Sequence, residues 1–211
     1  IEDCIFDNND GYQGGGIYIL AGVATISDCV FVSNQASNRG GAIYNNTTSN
    51  NIMNCDFAFN SVPTSAGGAL TIRNGNDDDI DPVNVVNCTF EQNDAGFGGA
   101  LAVYDSKSIA NFTACDFTQN NAATSGGATT NGFGATSNFT NCVFSQNEAT
   151  NGGAIYSQND DATINITNCE ILLNAASRGG AINIGNSDII DTLPIPFLTI
   201  ENTIIKFNSA I

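Results

Sequence analysis

No histidine occurs in these 211 residues, and lysine and arginine together number 5 against 21 aspartates and glutamates. The first absence removes imidazole acid/base catalysis, Ser-His triads and His-ligated metals. The second leaves a formal charge of −16. Such a field repels phosphate and anionic lipid, so neither nucleic acid nor a membrane surface is an expected partner. No apolar run reaches the roughly 18 residues of a membrane span. No Cys-x-x-Cys pair accompanies the 7 cysteines, which removes thioredoxin-type and zinc-ribbon readings. Only 12% of residues are charged while 42% are hydrophobic, a profile that folds rather than one that stays disordered. The chain opens at Ile1 with no signal-peptide pattern, and the expectation is a single domain, residues 1–211, cut from a longer solenoid.

What is present is a repeat. Phe-x-x-Asn recurs at Phe6/Asn9, Phe31/Asn34, Phe57/Asn60, Phe90/Asn93, Phe117/Asn120 and Phe144/Asn147, and it relaxes to Ile171/Asn174 and Ile205/Asn208. Two residues before each aromatic stands a cysteine: Cys4, Cys29, Cys55, Cys88, Cys115, Cys142 and Cys169, with Thr203 in the last copy. The cysteine spacings are 25, 26, 33, 27, 27 and 27. Gly-Gly-Ala-Ile or a variant follows each of the first seven Asn, beginning at Gly14, Gly40, Gly67, Gly98, Gly126, Gly152 and Gly179. A period near 27 suits helical repeats, leucine-rich repeats or a parallel β-helix. Helical spacing of apolar residues is missing, and so are leucine columns, whereas short β-branched runs broken by Gly and Asn favour strands.

Columns support the third choice. Three residues before the cysteine position stand Ile1, Ile26, Ile52, Val85, Phe112, Phe139, Ile166 and Ile200, all apolar. The parity of the inward face slips by one between these and the Cys/Phe pair, so a bend must intervene. Asp3, Asp28, Asn54, Asn87, Asn141, Asn168 and Asn202 occupy it, with Ala114 the exception, and Asn and Asp tolerate the left-handed backbone that a corner needs. The eight Asn that follow (Asn9, Asn34, Asn60, Asn93, Asn120, Asn147, Asn174 and Asn208) are expected to pass amide hydrogen bonds from rung to rung. The cysteines are expected to be free thiols stacked as small buried hydrophobes. The fold class follows: an all-β, right-handed parallel β-helix of about eight rungs, three short strands per rung, without caps and roughly 40 Å long. Insertions at 73–82 and 187–196 are expected on its surface.

Phe31-Val32-Ser33-Asn34 with Gly40-Gly41-Ala42-Ile43, and Phe144-Ser145-Gln146-Asn147 with Gly152-Gly153-Ala154-Ile155, resemble the repeats of chlamydial polymorphic outer membrane proteins. The resemblance spans essentially the whole chain. It implies a right-handed β-helix displayed at a cell surface or secreted, serving as a stalk, filament segment or adhesin, and it implies no enzyme activity. No transporter barrel lies in this segment. The partners implied are further rungs of the same chain, copies of itself, or extracellular proteins and glycans.

The rival class is a carbohydrate-active or carbohydrate-binding β-helix, similar to pectin-degrading enzymes. Its carboxylates would be Asp56, Glu91 and Asp116, outward on neighbouring rungs, with Glu91 and Asp116 roughly 8 Å apart from one rung and a two-residue offset. Few cations are available to support them, and a solvated acidic face is the preferred reading, so no catalytic residue is expected. Asn76, Asp77, Asp78, Asp79 and Asp81 offer hard oxygens for calcium, but their spacing is neither that of an EF-hand loop nor that of the Gly-Gly-x-Gly-x-Asp repeat; a solvated acidic loop is the preferred reading, and no cofactor or metal is expected. Glycosylation sequons begin at Asn45, Asn46, Asn87, Asn111, Asn138 and Asn165; Asn87 is a constrained corner, which leaves the other five as candidates. Tyr18, Tyr44, Tyr104 and Tyr156 are read as strand residues rather than sugar platforms.

Overall fold

A computed structural model describes residues 1–74, 81–158, 161–185 and 197–211. The chain winds as a parallel β-solenoid built of four sheets, two with eight strands and two with seven. The described residues therefore form seven full turns and the first half of an eighth, slightly fewer than the eight full rungs expected. The rung around Phe90 shows the plan: Thr89–Glu91, Asp94–Phe97, Leu101–Tyr104 and Ile109–Thr113 are its first to fourth strands. Each strand pairs in parallel with its counterpart one rung above and below, as Phe90 does with Phe57 and Phe117.

Four strands per rung, not three, is a correction to the sequence reading. The additional strand lies between the Asn position and Gly-Gly, as in Gln35–Arg39 and Asn121–Ser125. Its one regularly buried residue is small (Ala36, Val62, Ala95, Ala122, Ala149 and Ala176), and its length varies. Its register slips within the pairing, for example between Val62 and Ala66, so neither period nor propensity marks it as a strand.

Three of the four corners use left-handed backbone. The first carries φ from 48° to 55° at Asp3, Asp28, Asn54, Asn87, Ala114, Asn141, Asn168 and Asn202. The second falls on the residue before each ladder Asn, including Phe59 (φ 57°) and Leu173 (φ 58°). The third is the first glycine of Gly-Gly: at Gly98 (φ 59°) a Cβ would sit 2.0 Å from the Leu101 carbonyl oxygen. The second glycine faces a different limit, because a Cβ on Gly99 would lie 2.2 Å from the Gly127 oxygen one rung away. The fourth corner is variable and absorbs the extra residues between Cys55 and Cys88. The Arg73/Tyr104 pairing before it and the Val83/Ala110 pairing after it both keep register. Most of the 73–82 and 187–196 insertions, and the Asn76–Asp79 part of the calcium candidate, lie outside the described residues.

Ala114 bears the left-handed conformation (φ 53°) without the side chain that eases it. Its neighbours do better: the Asn54 carboxamide donates to Asp28 Oδ1 at 3.0 Å, and Asn87 donates to Asn54 Oδ1 at 3.0 Å. We expect Ala114→Asn to stabilise the fold by about 1 kcal/mol, since a left-handed Cβ costs roughly 1–2 kcal/mol and Asn recovers part of it. A urea midpoint unchanged or lowered by the substitution would contradict this.

Candidate functional surfaces

The interior is organised as columns. Seven Asn side chains, from Asn9 to Asn174, each donate from Nδ2 to the Oδ1 of the Asn one rung on, at 2.8–3.0 Å. That same oxygen accepts the backbone N–H of the donor residue, as Asn60 N does to Asn93 Oδ1 at 2.9 Å. The remaining Nδ2 hydrogen returns to a carbonyl one rung back: Asn93 to Phe57 at 3.0 Å, Asn120 to Phe90 at 2.9 Å. Asn34, Asn60, Asn93, Asn120, Asn147 and Asn174 are all buried, and each carboxamide is fully engaged. Beside this column the Phe rings from Phe6 to Phe144 stack at 4.7–4.8 Å between centroids, 4–6° from parallel.

The seven cysteines are free thiols in one inward column. Each thiol donates to the carbonyl two residues before it, from Ser27 O at 3.0 Å for Cys29 to Thr113 O at 3.5 Å for Cys115. From Cys55 onward a carbonyl one rung back is a second acceptor, such as Val85 for Cys115 at 3.4 Å. Thr203 shows what the position requires: its hydroxyl donates to Glu201 O at 2.8 Å and accepts the Cys169 N–H at 3.2 Å. Neighbouring thiols and burial shift these groups. Hydrogen bonding to Cys115 and then burial push Cys142 up to about 12, against an opposing contact with Cys169. Cys88 and Cys115 also reach about 12; for each, the thiol one rung on lowers the value, and the thiol one rung back together with burial outweighs it. Cys55 is lowered, chiefly by its bond to Cys88.

Two of the outward carboxylates share a hollow: Glu91 and Asp116 border it with Thr89, Phe90 and Thr118, and no Arg or Lys lines it. Asp56 is engaged one rung away, accepting the Thr89 hydroxyl at 2.6 Å. Among the described residues no group of three His, Cys, Asp or Glu is placed to hold a metal ion.

The sequons fall in unequal places. Asn45 is fully buried, its Nδ2 donating to Thr47 O at 2.7 Å, and its Oδ1 accepts from Asn50. A glycan on that atom has no space in the folded chain, and Asn45 is withdrawn as a candidate. Asn46 is half-buried on the outer face of the third sheet. Asn111, Asn138 and Asn165 belong to an outer amide ladder that starts at Asn51: Asn84, Asn111, Asn138 and Asn165 each donate to the Asn one rung back at 2.8–3.2 Å. Any sugar there must be carried by the same nitrogen that makes the ladder bond.

One surface was not legible in the sequence. Outward residues of the third sheet alternate with inward Leu101 and Val103, yet Thr71, Ala102 and Thr130 are buried and Tyr104 nearly so. Ala66, Ala102 and Tyr104 form an apolar cluster apart from the bore. The second and third sheets thus meet at a re-entrant angle, and their outer faces form a groove. Tyr44 is buried and Tyr156 half-buried on this side, whereas Tyr18 is exposed.

Residues 28–46 and 141–158 match the family model of the Chlamydia polymorphic membrane protein repeat. Two segments of the chain are thus similar to that repeat. Each matched segment holds the column cysteine (Cys29 or Cys142), the Phe-x-x-Asn corner and the Gly-Gly-Ala-Ile strand, in the second and sixth rungs, so the repeat corresponds to the first three strands of a turn. No curated protein and no solved structure matches the chain.

Proposed function

We propose that this repeat segment is a non-enzymatic structural element of the cell surface or extracellular space, a rigid stalk, filament segment or adhesin. The observation that carries the reading is continuity: the Asn ladder runs from Asn9 to Asn208 without a missing bond. Bending or separating two rungs breaks the strand pairing of four sheets and the Asn bonds together, so load is shared along the axis. The acidic coat keeps such a rod soluble. The polymorphic membrane protein-type repeat supports placement at a surface, and further rungs or copies of the chain are the natural axial partners. Gold-labelled antibody against residues 1–211, applied to unpermeabilised source cells and their secreted material, tests this by electron microscopy. Labelling of rods or fibres is expected; labelling confined to the interior of opened cells would sink the proposal.

A further inference from the structure

The groove between the outer faces of the second and third sheets has two walls in register. On one, Arg39, Ala66 and Phe97 follow each other on successive rungs. On the other, Tyr104 pairs with Gly132, and Gln158 packs on the far side of that glycine. A Cβ on Gly132 would lie 3.3 Å from Tyr104 Cε1 and 3.4 Å from Gln158 Cβ, so the absent side chain lets Tyr104 and Gln158 close together over this glycine. Phe133 stands beside them, its ring 5.6 Å from that of Tyr104 at 64°. The hollow measures about 210 Å³ and includes Arg39, Phe97, Tyr104, Phe133 and Gln158 in its lining. Phe97 and Phe133 are 39% and 51% exposed, so two aromatic faces open on it. The Arg39 Nε is buried without a hydrogen-bond partner. Arg73, the next guanidinium along, is already held by Asp105 at 2.7 and 2.8 Å.

We propose that this groove is a binding site for a neutral oligosaccharide, whose rings stack on Phe133 and Phe97 while its hydroxyls bond Arg39 and Gln158. The chemistry selects the class in three steps. Open aromatic faces beside planar donors and a carboxamide suit a ligand that is apolar on its ring face and polar at its rim. A peptide adding as a strand needs a free sheet edge, and the strands that form these walls are paired on both sides. A polyanionic glycan would bring one charge per ring into the field of a chain carrying −16, against the one uncommitted guanidinium of this groove. The hollow is smaller than the roughly 300–1,000 Å³ of drug-sized sites, so it holds one ring at a time, and affinity comes from a chain laid along the axis. The proposal is independent of the structural role and stands or falls separately from it.

Isothermal titration of the 1–211 chain with cellotetraose, chitotetraose and tetragalacturonate tests it, with Arg39→Gln and Phe133→Ala beside the wild type and Glu91→Gln as a remote control. At least one neutral tetrasaccharide is expected to bind at millimolar concentration or below. Both groove variants should weaken it tenfold or more with unchanged urea midpoints, and Glu91→Gln should bind as wild type. Phe133 is exposed, so its removal tests the groove even if Arg39→Gln perturbs folding. No binding of either neutral sugar, binding indifferent to Phe133→Ala, or tighter binding of tetragalacturonate would each overturn the proposal.

Discussion

Replacing Asn93 by Ala is expected to lower the unfolding free energy by about 5 kcal/mol, an exceptional cost for three deleted heavy atoms. The side chain makes four hydrogen bonds. It donates to Asn120 Oδ1 and Phe57 O, and accepts from the backbone and side-chain nitrogens of Asn60. Asn120 Oδ1 keeps the Asn93 backbone N–H as a donor. The Asn60 backbone N–H keeps nothing and Asn60 Nδ2 keeps only its bond to Phe31 O, leaving two buried N–H groups unmatched; a buried unsatisfied group costs about 1–3 kcal/mol, with the other lost bonds adding about 1 kcal/mol each. Water cannot repair the loss, because Asn60 and Asn93 are both fully buried. The comparison that isolates burial is Asn84→Ala in the outer ladder. Asn84 bridges Asn51 and Asn111 in the same rung-to-rung manner, but on a half-exposed face. There we expect no more than about 1 kcal/mol, since solvent replaces the partners. Urea unfolding of both variants measures the difference, and equal costs would refute the claim that the inner ladder is stabilised by its isolation from water.

That contrast also shows where the sequence was readable. The inner Asn column recurs with strict identity and the Gly-Gly corner in each of its seven copies, because each has one solution: a buried amide needs both donor and acceptor at every rung, and a crowded corner admits no Cβ; the Cys and Phe columns, which chiefly fill space, admit Thr203, Ile171 and Ile205. The bend before cysteine was visible through Asn and Asp, and even Ala114 adopts it, because neighbouring rungs impose their backbone on the exception. The second strand was hidden since its inward side chains are mostly alanine, too small to print a period. The left-handed residue before the ladder Asn was hidden as well. Ser33, Phe59, Gln92 and Leu173 share that backbone without sharing any chemistry, since their side chains point to solvent and only the corner geometry is selected.

The groove was hidden for a different reason. Alternation along a strand tells inside from outside, and Thr71, Ala102 and Tyr104 all sit at outside positions. Their burial follows from the angle at which two sheets meet, which is set at the glycine corner and has no counterpart in the local pattern. Tyr104 was accordingly read as an ordinary strand residue, while Gly132 and Phe133 drew no attention because they fall at the variable fourth corner. Conversely, the carboxylates Asp56, Glu91 and Asp116 looked like a cluster on paper, yet only Glu91 and Asp116 share a hollow, and no cation lines it.

Alkaline pH should unfold this chain well before its backbone is otherwise stressed. Cys88, Cys115 and Cys142 stand at about 12 in the folded column against an ordinary thiol value of 9.0. Their folded values are raised, so their contribution is complete below pH 9.0 and is lost as pH climbs toward 12. In that window the unfolded chain releases protons that the folded chain retains. Cys169 is raised as well, whereas Cys55, whose folded value is lowered, has lost its proton in both states above pH 9 and drops out of the slope there. Each raised thiol adds up to about 1.4 kcal/mol of stability lost per pH unit in that window. Tyr104, raised to about 12 by burial, steepens the fall above pH 10. Urea midpoints should therefore be flat from pH 7 to about 8.5 and drop sharply by pH 10.5. Cys115→Thr copies the hydroxyl that already serves at Thr203, so it should remove about 1.4 kcal/mol per pH unit from that slope while leaving stability near neutrality within about 1.5 kcal/mol. A profile flat to pH 10.5, or a Cys115→Thr slope equal to wild type, would show that the thiol column does not retain its protons and that its role is confined to filling space.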